Sequence, residues 1–150
     1  MATKSQSPVS AKIDSYFTRS VGWCSQEELP RHYRAADICL VPTIAQDALS
    51  ITSVEAMASG VPVVASRIGG VPYTVGDGLT GLLFEPGNPV DLARQIARLL
   101  DDPELRRVMG RAGRQRFEEE FTWETVIERH WRPLLARRPT PETNVASPVR

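Results

Sequence analysis

Short apolar runs alternate with stretches of helical periodicity along most of this chain. "DICLVPT" and "VPVVAS" are short, apolar and rich in β-branched residues, the pattern of strands buried on both faces. "SYFTRSVGW" holds a candidate first strand, and "SQEELPRHYRAA" after it reads as a short helix. Between the two buried runs, "SITSVEAMASG" has good helix formers at its centre and ends on Gly60, with Pro62 close behind as a helix stop. The three segments predict a β-α-β unit. "GLLFE" supplies a further strand. Asn88 is placed to cap the next helix, Pro89 occupies its first position, and Leu92, Ile96, Leu99 and Leu100 form one apolar stripe suited to cover a sheet. A helix from about Pro103 presents Leu105, Met109 and Ala112. A last helix, capped by Thr122, carries Val126, Ile127, Trp131, Leu134 and Leu135 on its apolar side.

Strands alternating with helices predict an α/β fold, a Rossmann-like parallel sheet flanked by helices, whose ligands bind beyond the carboxyl ends of the strands. Composition sets the boundaries. Residues 1–20 begin rich in Ser, Thr and Lys, and residues 137–150 are polar and proline-rich, so both ends are expected to be disordered around one domain at 21–136. Eighteen basic residues balance eighteen acidic ones, which leaves no broad field to recruit nucleic acid or an anionic membrane. The first residues lack the apolar core of a signal peptide, and no run approaches the roughly 20 apolar residues of a transmembrane segment. A cytoplasmic location is the expectation. Cys24 and Cys39 are too few for a disulfide framework, and Cys39 lies in an apolar run as a buried free thiol; with His32 and His130 alone, no zinc site is expected.

"GDGLTG", Gly76 to Gly81, matches the glycine spacing of dinucleotide-binding loops. Its context does not. That loop works by leading a pyrophosphate to a helix N-terminus, whereas here "LLFEPG" follows, a strand and a turn. The glycines are read as turn residues.

The acidic pair Asp47 and Glu55 has two readings. "TSVE" fits a capping box, with Thr52 as cap and Glu55 reaching back to its N–H, and Asp47 is then a loop carboxylate. If Ser50 is the cap instead, the free N–H groups of Ile51, Thr52 and their neighbours form an anion site suited to a diphosphate. Glu55, one turn inside, would then stand beside it and could accept from the vicinal hydroxyls of a ribose. Asp47, in the loop, could do the same for a sugar on the far side.

From "RAADICLVPT" to "IERHW" the chain resembles the C-terminal, donor-binding domain of the retaining GT-B glycosyltransferases, the glycosyltransferase family 4-like group. The family's E-x7-E spacing is present as Asp47 and Glu55, and its "EAMA.G.PVV" as Glu55-Ala56-Met57-Ala58-Ser59-Gly60 with Pro62-Val63-Val64. The resemblance implies a partial C-terminal domain of a GT-B fold. It implies that Glu55 binds the donor ribose, that Asp47 faces the hexose hydroxyls, and that Ser50, Ile51 and Thr52 offer N–H groups to the diphosphate of a UDP- or GDP-sugar. Gly69 and Gly70, otherwise a plain turn, would form the loop that closes beside the donor. Arg67, just after the "VPVVAS" strand, is placed at a carboxyl end where it could support that loop, the alternative being a solvated loop arginine. No cofactor and no metal are implied, since Arg, Lys and a helix N-terminus stabilise the diphosphate in that family.

Departures from the family pattern mark where the transfer weakens. Asp47 stands for the usual Glu, one methylene shorter; Ser50 stands for a Gly; and "GGVPYTV" has Tyr73 where a Glu is common. Neither an acceptor domain nor the family's diphosphate-clamping Arg and Lys are found, so no catalytic residue is assigned. The cluster Arg106, Arg107, Arg111, Arg114 and Arg116 is read as the wet face of a helix. Trp123 and Trp131 either face a missing domain, leaving exposed apolar surface, or belong to the core. The leading reading is a truncated glycosyltransferase that carries part of the donor site and is inactive without an acceptor domain. The rivals are a non-catalytic nucleotide-sugar-binding domain, or subunit of a split enzyme with a separate N-terminal acceptor-domain partner, and a truncated inactive gene product.

Overall fold

The computed structural model describes residues 23–136. In chain order they form α1 (Leu29–Ala35), β1 (Cys39–Val41), α2 (Ile51–Ala58), β2 (Val63–Ser66), α3 (Val71–Thr74), β3 (Gly81–Phe84), α4 (Pro89–Asp101) and α5 (Pro103–Arg116). Two π-helical stretches, Phe117–Phe121 and Ile127–Trp131, then alternate with α6 (Trp123–Val126) and α7 (Arg132–Ala136). The predicted first strand, apart from Trp23, and both predicted disordered ends lie outside the described residues.

The three strands form one parallel sheet in the order β1-β2-β3, with Cys39 opposite Val63 and Val63 opposite Gly81. Every residue of β2 and β3 is buried, which is why these runs read as continuously apolar rather than alternating. Side chains still alternate between the two faces. Val63, Ala65 and Leu83 join Cys39, Met57, Val71 and Val75 in one core cluster, whereas Val64, Leu82 and Phe84 join Leu99 and Met109 in another. The sheet is thus covered on both sides, and α/β layering follows from the strand pattern.

Local chemistry explains the element ends. Gly60, at φ 74, ends α2 in a Schellman arrangement: its N–H donates to Met57 O at 2.9 Å and the N–H of Val61 to Ala56 O at 3.0 Å. Asn88 caps α4 by accepting from Val90 and Asp91 N–H, and Leu99 is fully buried with Leu92 and Ile96 packed against its cluster. The glycine-rich segment is a turn, as expected: Gly78 has φ 76, the N–H of Thr80 donates to Gly76 O at 2.9 Å, and the chain runs straight into β3.

Three expectations change. "TSVE" is not a capping box, because the cap of α2 is Ser50, which accepts from the N–H of Ser53, while the Glu55 carboxylate is engaged by Tyr33. Of the α5 arginines, Arg107 and Arg111 stay exposed and pair with Glu104, the wet face expected, but the other three are not merely wet. Arg106 donates to the carbonyls of Leu99 and Leu100, Arg114 to that of Ala58, and Arg116 to that of Tyr73, so guanidinium groups serve carbonyls left free at the ends of α4, α2 and α3. Thr122 caps α6 as expected, yet Ile127, Trp131, Leu134 and Leu135 stay 45–64% exposed, since this last helical run packs mainly on its own neighbouring turns. A one-turn helix that the sequence patterns do not announce, α3, is opened by Val71 and Pro72.

Candidate functional site

The loop from β1 to α2 and the loop from β2 to α3 both leave the carboxyl edge of the sheet, and they meet. Asp47 anchors the first. Its Oδ1 accepts from the N–H of Leu49 at 3.1 Å, an Asx turn, and its carbonyl accepts from the N–H of Gly70 at 2.6 Å. The approach is so close that a Cβ on Gly69 would lie 2.3 Å from Asp47 O and one on Gly70 1.9 Å from Ala48 O. Only glycine fits at either place, and Gly69 also sits at φ 55. Asp47, Gly69 and Gly70 are therefore brought together as one unit.

Ser50 begins α2. Its hydroxyl is buried and accepts from the N–H of Ser53 at 3.3 Å and from the Ser53 hydroxyl at 2.8 Å, so this side chain is folded into the protein rather than across the space before the helix. The first intrahelical bond runs from Val54 N–H to Ser50 O. The N–H groups of Ile51 and Thr52 precede it and have no partner among the described residues. Helical spacing then sorts the side chains: Ser53, Ala56 and Met57 face the core, whereas Ile51, Thr52 and the half-buried Glu55 share the outer face. The free N–H groups of the helix end point out along its axis, and Glu55 stands one turn further on, on the side of α2 that carries the Ile51 and Thr52 side chains.

Glu55 accepts from the Tyr33 hydroxyl through Oε2 at 3.0 Å. It lines a cleft of about 340 Å³ whose walls come from α1 and α2, with Gln26, Tyr33, Arg34 and Arg114 among the other lining residues. Burial, and then the Glu55 carboxylate, raise the Tyr33 phenol well above its ordinary range; burial and the same carboxylate push the Cys39 thiol up to about 11. Tyr33 escaped the sequence reading. The signal was present, since it is the one Phe, Tyr or Trp of α1, but its partner lies 22 residues away.

Arg67 is not brought to the other candidates. Its guanidinium pairs with Asp77 and lies 3.7 Å from Glu85, and Asp77 in turn accepts from the N–H of Leu83, so this cluster braces the β3 side of the sheet. Tyr73 is 62% exposed and meets Phe121 edge to face. Among the described residues no three His, Cys, Asp or Glu side chains are grouped as a metal site would need, and no helix is long and apolar enough to cross a membrane.

Comparison with known proteins gives this geometry a lineage. Residues 17–116 match the family model described as glycosyl transferases group 1. A D-inositol 3-phosphate glycosyltransferase of Streptomyces bingchenggensis is 39% identical over 101 residues, covering 67% of this chain and 22% of that protein. The chain therefore spans about a quarter of the length of the curated relatives it matches. Among solved structures, sucrose-phosphate synthase from Thermosynechococcus elongatus superposes with a TM-score of 0.71 at 39% identity, over 77% of this chain and 30% of that one. Anabaena HepE in complex with UDP and glucose gives a TM-score of 0.71 at 25% identity, over 77% of this chain and 31% of that one. With its parallel sheet, its Ser50-capped α2 and these GT-B relatives, the chain belongs to the glycosyl transferases group 1 family.

Proposed function

We propose that residues 21–136 form a donor-binding domain of a retaining glycosyltransferase and hold a nucleotide-diphosphate sugar at the carboxyl edge of the sheet. The observation that carries this reading is the start of α2, where the N–H groups of Ile51 and Thr52 have no partner among the described residues and Glu55 stands one turn further on. The N–H groups and the helix dipole bind the diphosphate and, as the glycosidic bond to it breaks, stabilise the charge that builds on the departing nucleotide. Glu55 accepts from the ribose hydroxyls, and Asp47, held by its Asx turn, faces the hexose. The buried Ser50 hydroxyl leaves the approach to the helix end open, as a glycine would. That HepE is a structural relative crystallised with UDP and glucose makes UDP the first ligand to try.

Titration of the purified chain with UDP, GDP, UDP-glucose and GDP-mannose, followed by backbone amide NMR, tests the reading. Saturable shifts centred on residues 50–55 and weakened by Glu55→Ala are expected. A well-dispersed spectrum without shifts at millimolar ligand would overturn it.

A second reading, a nucleotide-sugar-binding subunit that works with a separate acceptor-domain chain, is favoured by Trp123, Trp131 and Leu134, which are 76%, 56% and 64% exposed. Sugar transfer that appears only on mixing with such a chain would establish it.

A further inference from the structure

α1 has no buried residue, and Tyr33 is its firmest hold on the body of the protein: the ring packs against the core cluster that contains Met57 and Val63, and the hydroxyl reaches Glu55. Packing alone does not explain that hydroxyl. A phenylalanine ring would fill the same space; among the described residues the hydroxyl donates to the Glu55 carboxylate and has the Thr52 side chain as a further polar neighbour. Of the two carboxylate oxygens, Oε2 takes the Tyr33 proton at 3.0 Å, and Oε1 has no partner among the described residues. The bond therefore does two things. It fixes the rotamer of a side chain that otherwise has three free torsions, and it decides which oxygen is left to accept from something else.

We propose that Tyr33 is a positioning residue of the donor site, its hydroxyl orienting Glu55 so that Oε1 is presented to the vicinal diol of the nucleotide ribose. The inference rests on the role of Glu55 given above. Because Tyr33 and Glu55 stand on different helices across one cleft, the same bond also sets the separation of α1 and α2 where the nucleoside would lie. The phenol stays protonated throughout the physiological range, since burial and the neighbouring carboxylate both disfavour its ionisation. It is thus a permanent donor, and ligand binding does not have to order Glu55 first.

Calorimetry on the full chain with UDP and with dUDP, which lacks one hydroxyl of the diol, tests the inference. The wild type should prefer UDP. In Tyr33→Phe the affinity for UDP should fall about tenfold while that for dUDP changes little, so that the preference collapses. In a Glu55→Ala background, Tyr33→Phe should have no further effect on UDP. If Tyr33 only supports packing, both nucleotides weaken together or neither does, and the preference survives in Tyr33→Phe; that result overturns the positioning role and leaves the role of Glu55 intact. A wild type that binds UDP and dUDP equally, or binds neither, overturns the role of Glu55 and this inference with it. Dispersed amide spectra of both variants confirm that folded protein is being compared.

Discussion

Gly70 donates its N–H to the carbonyl of Asp47 at 2.6 Å, so the loops leaving β1 and β2 are joined backbone to backbone. A Cβ at Gly70 would meet Ala48 O at 1.9 Å, and neither partner is a flexible side chain that could step aside. Gly70→Ala should cost about 1–3 kcal/mol in urea unfolding and displace the amide resonances of residues 47–49. An unchanged unfolding midpoint would mean that the two loops are not in contact in solution.

Ser50 tests the helix end. Ser50→Ala removes the acceptor for Ser53 N–H and should lower stability by about 1 kcal/mol, whereas Ser50→Gly should cost only a few tenths beyond the loss of the Ser53 hydroxyl's partner. Chemical denaturation of the two variants side by side gives the order. Equal losses would show that capping is not what the hydroxyl contributes.

Gly60 and Gly110 face each other and should fail for different reasons. A Cβ on Gly60 has room, with Gly110 O at 4.0 Å, but φ 74 is strained for any L side chain, so Gly60→Ala should cost about 1 kcal/mol. Gly110 would drive a Cβ to 2.2 Å from Gly60 O and force α5 away from α2. Gly110→Ala should therefore be the more damaging of the two in thermal unfolding.

Cys39 links stability to alkaline pH. Its thiol titrates at about 11 in the folded protein, above the ordinary 9.0, because burial and then Glu55 disfavour the thiolate. Below pH 9 that contribution is fully present. As pH rises from about 9 through 11 the unfolded chain releases its proton first, and stability falls. Tyr33, also raised, acts in the same direction at higher pH. Urea midpoints should therefore drop between about pH 8 and about pH 10.5, and less so in Cys39→Ala. A thiol reagent near neutral pH should modify the half-exposed Cys24 and spare Cys39 until the chain unfolds.

The last helical run should drive association. Trp131, Leu134 and Leu135 are all more than half exposed and lie within one and a half turns of each other. Sedimentation should show mass rising with concentration, and Leu134→Glu should reduce it. Trp23, Trp123 and Trp131 are all exposed in the single chain, so at concentrations where sedimentation shows the monomer, fluorescence should resemble that of tryptophan in water, and it should shift to the blue as a second copy covers Trp131 at higher concentration.

Much of this protein was legible before any coordinate. The apolar runs at 39–41, 63–66 and 81–84, the glycine stop at Gly60, the caps at Asn88 and Thr122 and the family spacing of Asp47 and Glu55 are local signals, carried by residues close together in the chain. Local signals were ambiguous where two neighbours could serve one purpose. Ser50 and Thr52 both suit a cap, and the choice fell to Ser50 because its hydroxyl is buried with Ser53 as a second partner, while Glu55 found a better donor than a backbone N–H. Tertiary structure alone decided the pairings between distant segments: Tyr33 with Glu55, Gly70 with Asp47, Arg114 with Ala58 and Arg67 with Asp77. These depend on how the strands order themselves and how far each loop reaches, and no residue's propensity encodes its partner across the sheet. Sequence therefore determined the elements and the family, and packing determined which side chains those elements turn toward the site.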